Sequence, residues 1–369
     1  MITPAGSVKD IQEIVRNAPP GARLLPVAGA TKPALSDLGA AGVERIDLSG
    51  LSGIVEYDPA ELTITALAGT PVSEVQAVLA EHGQYLPCDP PLTDAGATLG
   101  GTVATGAAGP SALRYGGVRD FVIGVRFVDG TGRLVAGGGK VVKNAAGFDL
   151  PKLLIGSIGR LGVMVSLSFK VFPQPAATTT MEFLTEDLAT AVDALIRLRR
   201  SPVELDALDI TPTGRVLARV GGRAETLDAR ATRLAGAVGD RTHMRHDGPD
   251  ERTLWAEASE LAWRRDEQAV VRVGLSLAQI PALDQAIHTA APQATVRYSL
   301  GGTAAWIGWP PDAGLDRLDA VLDAERLPGM TLLRGPAHGD QVLLGPHSGG
   351  VFATRVKSAL DPDGRFLEL

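Results

Sequence analysis

The sequence predicts an α+β protein built as two units, and three observations carry that prediction. Its 369 residues exceed what one hydrophobic core usually serves. Glycine is unevenly spread: 17 of the 44 fall between Gly96 and Gly162, which marks that stretch as rich in turns and close backbone approaches. Beyond about residue 175 the apolar periodicity becomes regular and gives the order βαββαβ twice. No regular βαβ repeat runs through the chain, which argues against a doubly wound parallel sheet.

The elements follow in order. Ser7 is placed to cap a helix carrying Val8, Ile11, Ile14 and Val15 on one side, ended by Pro19-Pro20-Gly21. Leu24–Val27 reads as a strand that runs into the loop Ala28–Pro33. Ile54–Tyr57 and Leu62–Leu67 read as strands joined through Asp58-Pro59, the second alternating Leu62, Ile64 and Ala66 with Thr63 and Thr65. Thr70-Pro71 starts a helix with Val72, Val75, Val78 and Leu79 as its apolar stripe and Gly83 as its stop. Residues 97–110, ATLGGTVATGAAGP, carry no charge and no aromatic ring, and are expected to form a loop whose bare backbone lies close to a ligand. Strands are expected at Phe121–Val128, Leu134–Ala136 and Val163–Val171.

Phe172-Pro173-Gln174-Pro175 marks the expected boundary, giving units at 1–175 and 176–350 and a tail at 351–369. The second unit opens with strand Thr178–Phe183, helix Asp187–Arg200, strands Val203–Ile210 and Val216–Val220, helix Thr226–Val238 and strand Arg241–Arg245. Strand Val270–Leu275, helix Leu277–His288, strands Ala294–Ser299 and Ala304–Trp309, helix Asp312–Asp323 and strand Met330–Leu333 repeat that order. Each set reads as a ferredoxin-like split βαβ unit, so the unit is expected to be duplicated. Asp247–Asp266, with Trp255, Leu261 and Trp263, is expected to be helical between the two sets. Within Val270–Leu275, Arg272 is expected on the solvated strand face.

Composition excludes several functions. No apolar run approaches the roughly 18 residues of a membrane span, and the opening MITPAGSVK lacks a basic end followed by an apolar stretch. One cysteine, Cys88, leaves no internal disulfide and no multi-thiolate zinc site, and fits a reducing cytoplasm. A net charge of −7 without a basic stripe speaks against nucleic-acid binding. Neither the dinucleotide fingerprint Gly-x-Gly-x-x-Gly nor a phosphate loop is present, because Leu134 stands where the first glycine before Gly139-Lys140 belongs. Gly-x-Ser-x-Gly and His-Glu-x-x-His are also missing. His243 and His246 fit solvated residues on a surface strand better than a metal pair.

Three glycine-bearing segments remain. Val27–Pro33 and Gly96–Gly109 each offer successive backbone N–H groups to an anion, with Thr31, Thr98, Thr102 and Thr105 as added hydroxyl donors. Gly156–Val163, GSIGRLGV, then leads into a strand. Each alone fits a tight turn between strands; in this order they fit a cradle.

The succession PVAGATK (26–32), LSGL (48–51), LPCDPP (86–91), TLGGTVATG (98–106), VKNAAGFDL (142–150) and GSIGRLGV (156–163) resembles the FAD-binding domain of the vanillyl-alcohol-oxidase, or PCMH, type. It is most similar to the FAD-binding subunits of multi-subunit bacterial glycolate oxidases, over about residues 1–175. The resemblance implies non-covalent FAD, since the 27–33 loop holds neither His nor Cys. It implies that Val27, Ala28, Gly29, Ala30, Thr31 and Lys32 wrap the pyrophosphate together with Gly96, Thr98, Gly100, Gly101 and Thr102. Thr105 and Gly106 would follow the ribityl chain, while Val163, beside Gly159 and Gly162, would present backbone groups to the adenine or pyrimidine-like edge. It implies oxidation of a small 2-hydroxy acid such as glycolate, beside a second flavoprotein subunit and an iron–sulfur subunit. The clusters would belong to that partner, because each needs about four thiolates. The location implied is cytoplasmic, with any association with the inner membrane made through the complex.

Relatives that oxidise such acids alone carry a histidine-rich metal site in the second domain, whereas Ser299–Trp309 here contains no His. The resemblance therefore implies that substrate oxidation is left wholly or partly to a partner. A self-sufficient 2-hydroxy acid dehydrogenase and an assembly subunit with a vestigial flavin site are the alternatives. Arg114, Arg119 and Lys143 are the candidate catalytic cations for a carboxylate substrate. Phe366, after LDPDG (360–364), is similar to that family's tail, but the usual Asn-Pro-Gly is replaced, which leaves no sequence basis for docking the tail on the cofactor domain.

Overall fold

A computed structural model describes residues 2–36, 42–139, 148–239, 241–265, 267–333, 342–347 and 350–368. Lys143 lies outside them. The first unit contains β1 (Ile2–Pro4), β2 (Arg23–Val27), β3 (Val43–Asp47), β4 (Ile54–Asp58), β5 (Thr63–Leu67), β6 (Gln84–Tyr85), β7 (Val122–Val128), β8 (Leu134–Gly138), β9 (Val163–Lys170) and β10 (Phe172–Pro173). Three of these make a small parallel sheet, β1-β3-β2, and five make an antiparallel sheet in the order β4-β5-β9-β7-β8; β10 pairs with β6.

Local signals explain several elements. The Ser7 side chain accepts from the Asp10 N–H, whose carboxylate returns a bond to the Ser7 N–H, so the first helix, Val8–Asn17, starts from a reciprocal cap. Its Ile11 and Val15 are fully buried between the two sheets, with Leu24, Ile46, Val128 and Val163. The expected helix after Thr70-Pro71 spans Val72–Ala80 and buries Val72, Val75 and Leu79.

The bare run is not the loop that its composition predicts. Leu99–Thr105 is a short helix, capped by the Thr98 hydroxyl at the Gly101 N–H and ended by Gly106 at φ 61°. Glycine disfavours a helix by about 1 kcal/mol relative to Ala, but burial of Leu99 and Val103 and the bond from the Gly100 N–H to the Ala68 carbonyl oxygen hold it in place.

In the second unit, β11 (Ala177–Phe183), β12 (Ala207–Ile210), β13 (Val216–Gly222), β14 (His243–Asp247), β15 (Ala269–Gly274), β16 (Thr295–Ser299), β17 (Ala304–Trp309), β18 (Gly329–Leu333) and β19 (Leu343–Leu344) join one sheet. Its order, β14-β11-β13-β12-β16-β17-β15-β18-β19, sets two ferredoxin-like units edge to edge through their second strands. The junction is the pair Ile210 and Tyr298. Helices Leu188–Arg200, Ala224–Val238, Ile280–Ala290 and Leu315–Ala324 cover one face and bury Leu195, Leu234, Leu283 and Leu318 against it. Helix Gly248–Ser259 covers part of the other face, where Val270, Trp306 and Leu332 enter the core of the first unit.

The tail departs from expectation. Despite the altered motif, Phe366 is buried in the first unit beside Ile11 and Leu24, and it bridges to Leu24 as an extra parallel strand contact. Arg365 donates to the carbonyl oxygens of Val15 and Ala18 at 2.7 and 2.8 Å, closing the C-terminal end of the first helix. Lys357, on helix Gly350–Leu360, is buried and donates to Asp361 and to the carbonyl oxygens of Arg160, Phe366 and Leu367. Phe366 is held by this apolar slot and by the Asp361 carboxylate, which accepts from the Arg365 and Phe366 N–H groups at 2.8 and 2.9 Å.

Among the described residues no helix is long and apolar enough to cross a membrane.

Candidate cofactor site

The three glycine-bearing segments meet in one cleft. It encloses some 710 Å³ of empty space, part of it open to solvent. Residues 26–32 form one wall, Thr98, Gly100, Gly101, Ala104 and Thr105 the second, and Ile158, Gly159, Gly162 and Met164 the third. Leu48 and Ala68 close the floor.

Backbone chemistry dominates the first wall. Among the described residues, none of the N–H groups of residues 28–32 has an intramolecular acceptor. Ala30 holds φ at 47°, a conformation unusual outside glycine that turns consecutive N–H groups toward one side. Lys32, at 6% exposure, closes this wall, its Nζ 3.4 Å from Thr31 Oγ1. Burial draws its amino group down to about 8, against the opposing pull of Glu260.

The glycines are bare for different reasons. A Cβ on Gly29 would fall on the Gly96 carbonyl oxygen, and one on Gly100 would come within 2.8 Å of the Ala68 carbonyl oxygen. At these two positions the protein's own backbone occupies the space. A Cβ on Gly101 would meet only Thr98 Oγ1, at 3.3 Å, so its bareness keeps the cleft open. The cleft therefore passes a test of fit for a dinucleotide: five free N–H groups and a cation on one side, and an open helix surface on the other.

Four residues expected at the cofactor do not line the cleft. Gly96 supports Gly29 from behind, and Gly106 ends the helix. Val163 is fully buried in the core between the sheets, and Thr102 is turned inward with its hydroxyl unpartnered. Thr105 does line the cleft, but its hydroxyl donates to the Gly101 carbonyl oxygen at 3.0 Å, so it is committed to the helix. Leu48, Ala68, Ile158 and Met164 were missed by sequence reasoning, since apolar floor residues carry no local signature. Cys88 is fully buried as a free thiol, and burial pushes its ionisation upward.

The candidate cations lie elsewhere. Arg114 is bound to Asp206 and, at 2.7 Å, to Glu204, which ties the first unit to the second. Arg119 is exposed, and its carbonyl oxygen receives the Lys152 ammonium. Arg272 departs from its expected placement: it is half-buried at the contact between the units, with its Nε buried and Trp306 beside it, because that strand face is covered by the first unit. On β14, His246 bonds Glu182 at 2.6 Å and His243 the Arg241 carbonyl oxygen; they share no partner. No group of three or more metal-ligating side chains is present among the described residues.

The family model described as "FAD binding domain" matches residues 2–138. That match lies within the first unit and covers less than half of the chain. The chain is 48% identical over 138 residues to "Glycolate oxidase subunit GlcE" of Escherichia coli (strain K12), a match covering 37% of this chain and 39% of that protein. "D-2-hydroxyglutarate dehydrogenase" of Stutzerimonas stutzeri is 30% identical over 226 residues, 59% of this chain and 47% of its own length. "Glycolate oxidase subunit GlcD" of Bacillus subtilis is 32% identical over 162 residues, 43% of this chain and 34% of its own. The chain thus spans less than half the length of each of these relatives. Among solved structures, an alkyldihydroxyacetonephosphate synthase superposes with a TM-score of 0.75 at 18% identity, covering 100% of this chain and 77% of that one; the likeness is one of fold.

Proposed function

We propose that this chain is the FAD-binding subunit of a multi-subunit glycolate (2-hydroxy acid) oxidase, an oxidoreductase acting on a CH–OH group that converts glycolate to glyoxylate together with partner subunits. The observation that carries this reading is the cleft: the segments singled out as a cradle meet around it, on the unit that is similar to GlcE. Residues 28–32 would hold the pyrophosphate through their free N–H groups, Lys32 would balance its charge, and Thr98, Gly101, Gly159 and Gly162 would enclose the remainder. When bound, FAD supplies the acceptor for the two electrons and the hydrogen leaving the hydroxyl-bearing carbon. The chain's own contribution is to fix that acceptor and to keep water away with Leu48, Ala68, Ile158 and Met164. A second flavoprotein and an iron–sulfur subunit complete the proposed assembly. The GlcD-type relative supports the flavoprotein partner, and the single buried cysteine leaves the clusters to another chain. The proposed location is cytoplasmic, with membrane association only through the complex.

The similarity to D-2-hydroxyglutarate dehydrogenase favours one second reading, a chain that oxidises a 2-hydroxy acid unaided. The chain expressed alone and reconstituted with FAD separates the two. Under the first reading its oxidised spectrum survives anaerobic glycolate or D-lactate and bleaches only when the partner subunits are added. Bleaching without partners would decide for the second reading. A chain that cannot be loaded with FAD at all would overturn both.

Lys32 adds a pH test. It is charged below about pH 8 and neutral above, so its attraction for a pyrophosphate is present below that pH and lost as pH rises through it. FAD affinity, followed by fluorescence quenching of the flavin, is expected to fall between pH 7 and pH 9.5. Lys32→Met is expected to bind roughly tenfold more weakly at pH 7, with a flat profile.

A further inference from the structure

The turn at 92–97 stands behind the loop at 28–32 and is held from the second unit. The Gly96 carbonyl oxygen lies where a Cβ on Gly29 would fall, so this turn sets how far the loop can retreat from the cleft. Three bonds reach the turn from the end of helix Gly248–Ser259. The Glu260 carboxylate accepts from the Asp94 N–H at 2.9 Å and, through its other oxygen, from the Ala95 N–H at 3.3 Å. The Ser259 carbonyl oxygen accepts from the Leu92 N–H at 3.1 Å. Within the turn, the Gly96 N–H donates to the Thr93 carbonyl oxygen and the Ala97 N–H to that of Leu92.

Both sides of this contact hold a backbone conformation that leucine disfavours. Leu92 has φ at 64° and Leu261 at 57°, in the left-handed region, yet both side chains are buried in one core. Leu261 follows Glu260 directly after the helix, where glycine is the usual left-handed residue. Strain of this kind persists only where the surroundings over-determine it, and here the two leucines and the bonds to the turn do so. Glu260 has a second link to the cleft. Among the described residues it is the charged group that acts on the Lys32 ammonium, favouring the charged form against burial, while Lys32 Nζ meets Thr31 Oγ1. One carboxylate of the second unit thus acts on the loop from behind and on its last residue by charge.

We propose that Glu260 is a positioning residue for FAD: from the second unit it fixes the 92–97 turn behind Gly29, and thereby the free N–H groups of residues 28–32. The inference rests on the cleft being the FAD site. It makes the second unit a determinant of cofactor affinity, although the walls and floor of the cleft come from the first unit. Such coupling is reciprocal, so FAD on the loop would in turn hold the end of helix Gly248–Ser259 against the first unit.

Hydrogen exchange of the FAD-free chain, and FAD titration of the same samples followed by flavin fluorescence quenching, test the assignment. In Glu260→Ala, exchange over 92–97 is expected to speed up with an unchanged circular dichroism spectrum, and FAD to bind roughly five- to tenfold more weakly at every pH. Glu260→Gln keeps an acceptor oxygen but not the charge. It is expected to return slow exchange, and FAD affinity to within about twofold of the parent at about pH 6. Its loss of affinity on raising the pH is expected to begin earlier than in the parent, because Lys32 lacks the carboxylate that favours its charged form. A purely structural contact would leave that profile where it is. Unaltered exchange or unaltered FAD affinity in Glu260→Ala, or an unmoved pH profile in Glu260→Gln, would each overturn the proposal alone; a parent chain that takes up no FAD would overturn it together with the cleft reading.

Discussion

Gly101→Val is expected to give a folded protein that no longer holds FAD, while its neighbour Gly100→Val is expected to give one that folds less stably. The two glycines are adjacent in one short helix, yet they are bare for opposite reasons. At Gly101 a new side chain meets only Thr98 Oγ1 and otherwise projects into the cleft. Replacing a helical glycine also removes a propensity penalty of about 1 kcal/mol relative to Ala, so the apoprotein is expected to keep or slightly gain stability. The two methyl groups then occupy cofactor space, and visible flavin absorbance is lost after reconstitution and gel filtration. At Gly100 the new Cβ meets the Ala68 carbonyl oxygen at 2.8 Å and the Ala68 Cβ at 3.0 Å. Overpacking of this kind costs about 1–3 kcal/mol, read as a lower denaturant midpoint of the FAD-free chain. A Gly101→Val protein that stays yellow would remove the cradle as assigned.

The second large effect is expected at Lys357. Its ammonium group lies at 6% exposure and bonds the Asp361 carboxylate at 2.7 Å, with Asp361 itself 3% exposed. Lys357→Met keeps the stem but leaves Asp361 without its cation in the interior, which costs about 3–5 kcal/mol. It also frees the carbonyl oxygens of Arg160, Phe366 and Leu367 from their shared donor. Arg160 sits between Gly159 and Gly162 on the third wall of the cleft, so flavin affinity is expected to fall with stability. Thermal unfolding with and without added FAD measures both; a variant as stable as the parent would show that the tail is not held through Lys357.

Much of the architecture was legible because burial imposes a period. Ile11 and Val15 on the first helix, Ile64 and Ala66 on β5, and the paired βαββαβ sets all announce themselves through spacing. The helix at 99–105 was not legible. Its residues have poor intrinsic preference for a helix, and contacts from Ala68, remote in sequence, decide the outcome. Arg272 was misplaced for a related reason: alternation along a strand separates two faces, but does not say whether the polar face meets water or another unit. Val163 turns its side chain into the core between the sheets, so any part it takes at the cofactor is through its backbone, as the resemblance implies. The cradle was legible in outline because glycine and threonine marked its rim, while its apolar floor carried no mark.

The docking of Arg365 and Phe366 onto Leu24 and the first helix has an implication for how the protein is made. Traced along the chain, the nine-stranded sheet is an insertion within the FAD-binding domain, whose last structural contributions arrive more than 180 residues after β10. During synthesis the cradle segments leave the ribosome first, and the wall around Gly159 gains its Lys357 anchor only after the nine-stranded sheet has followed. A chain shortened before residue 357 is therefore expected to lose this anchor and to hold FAD more weakly, as read by fluorescence quenching of the flavin.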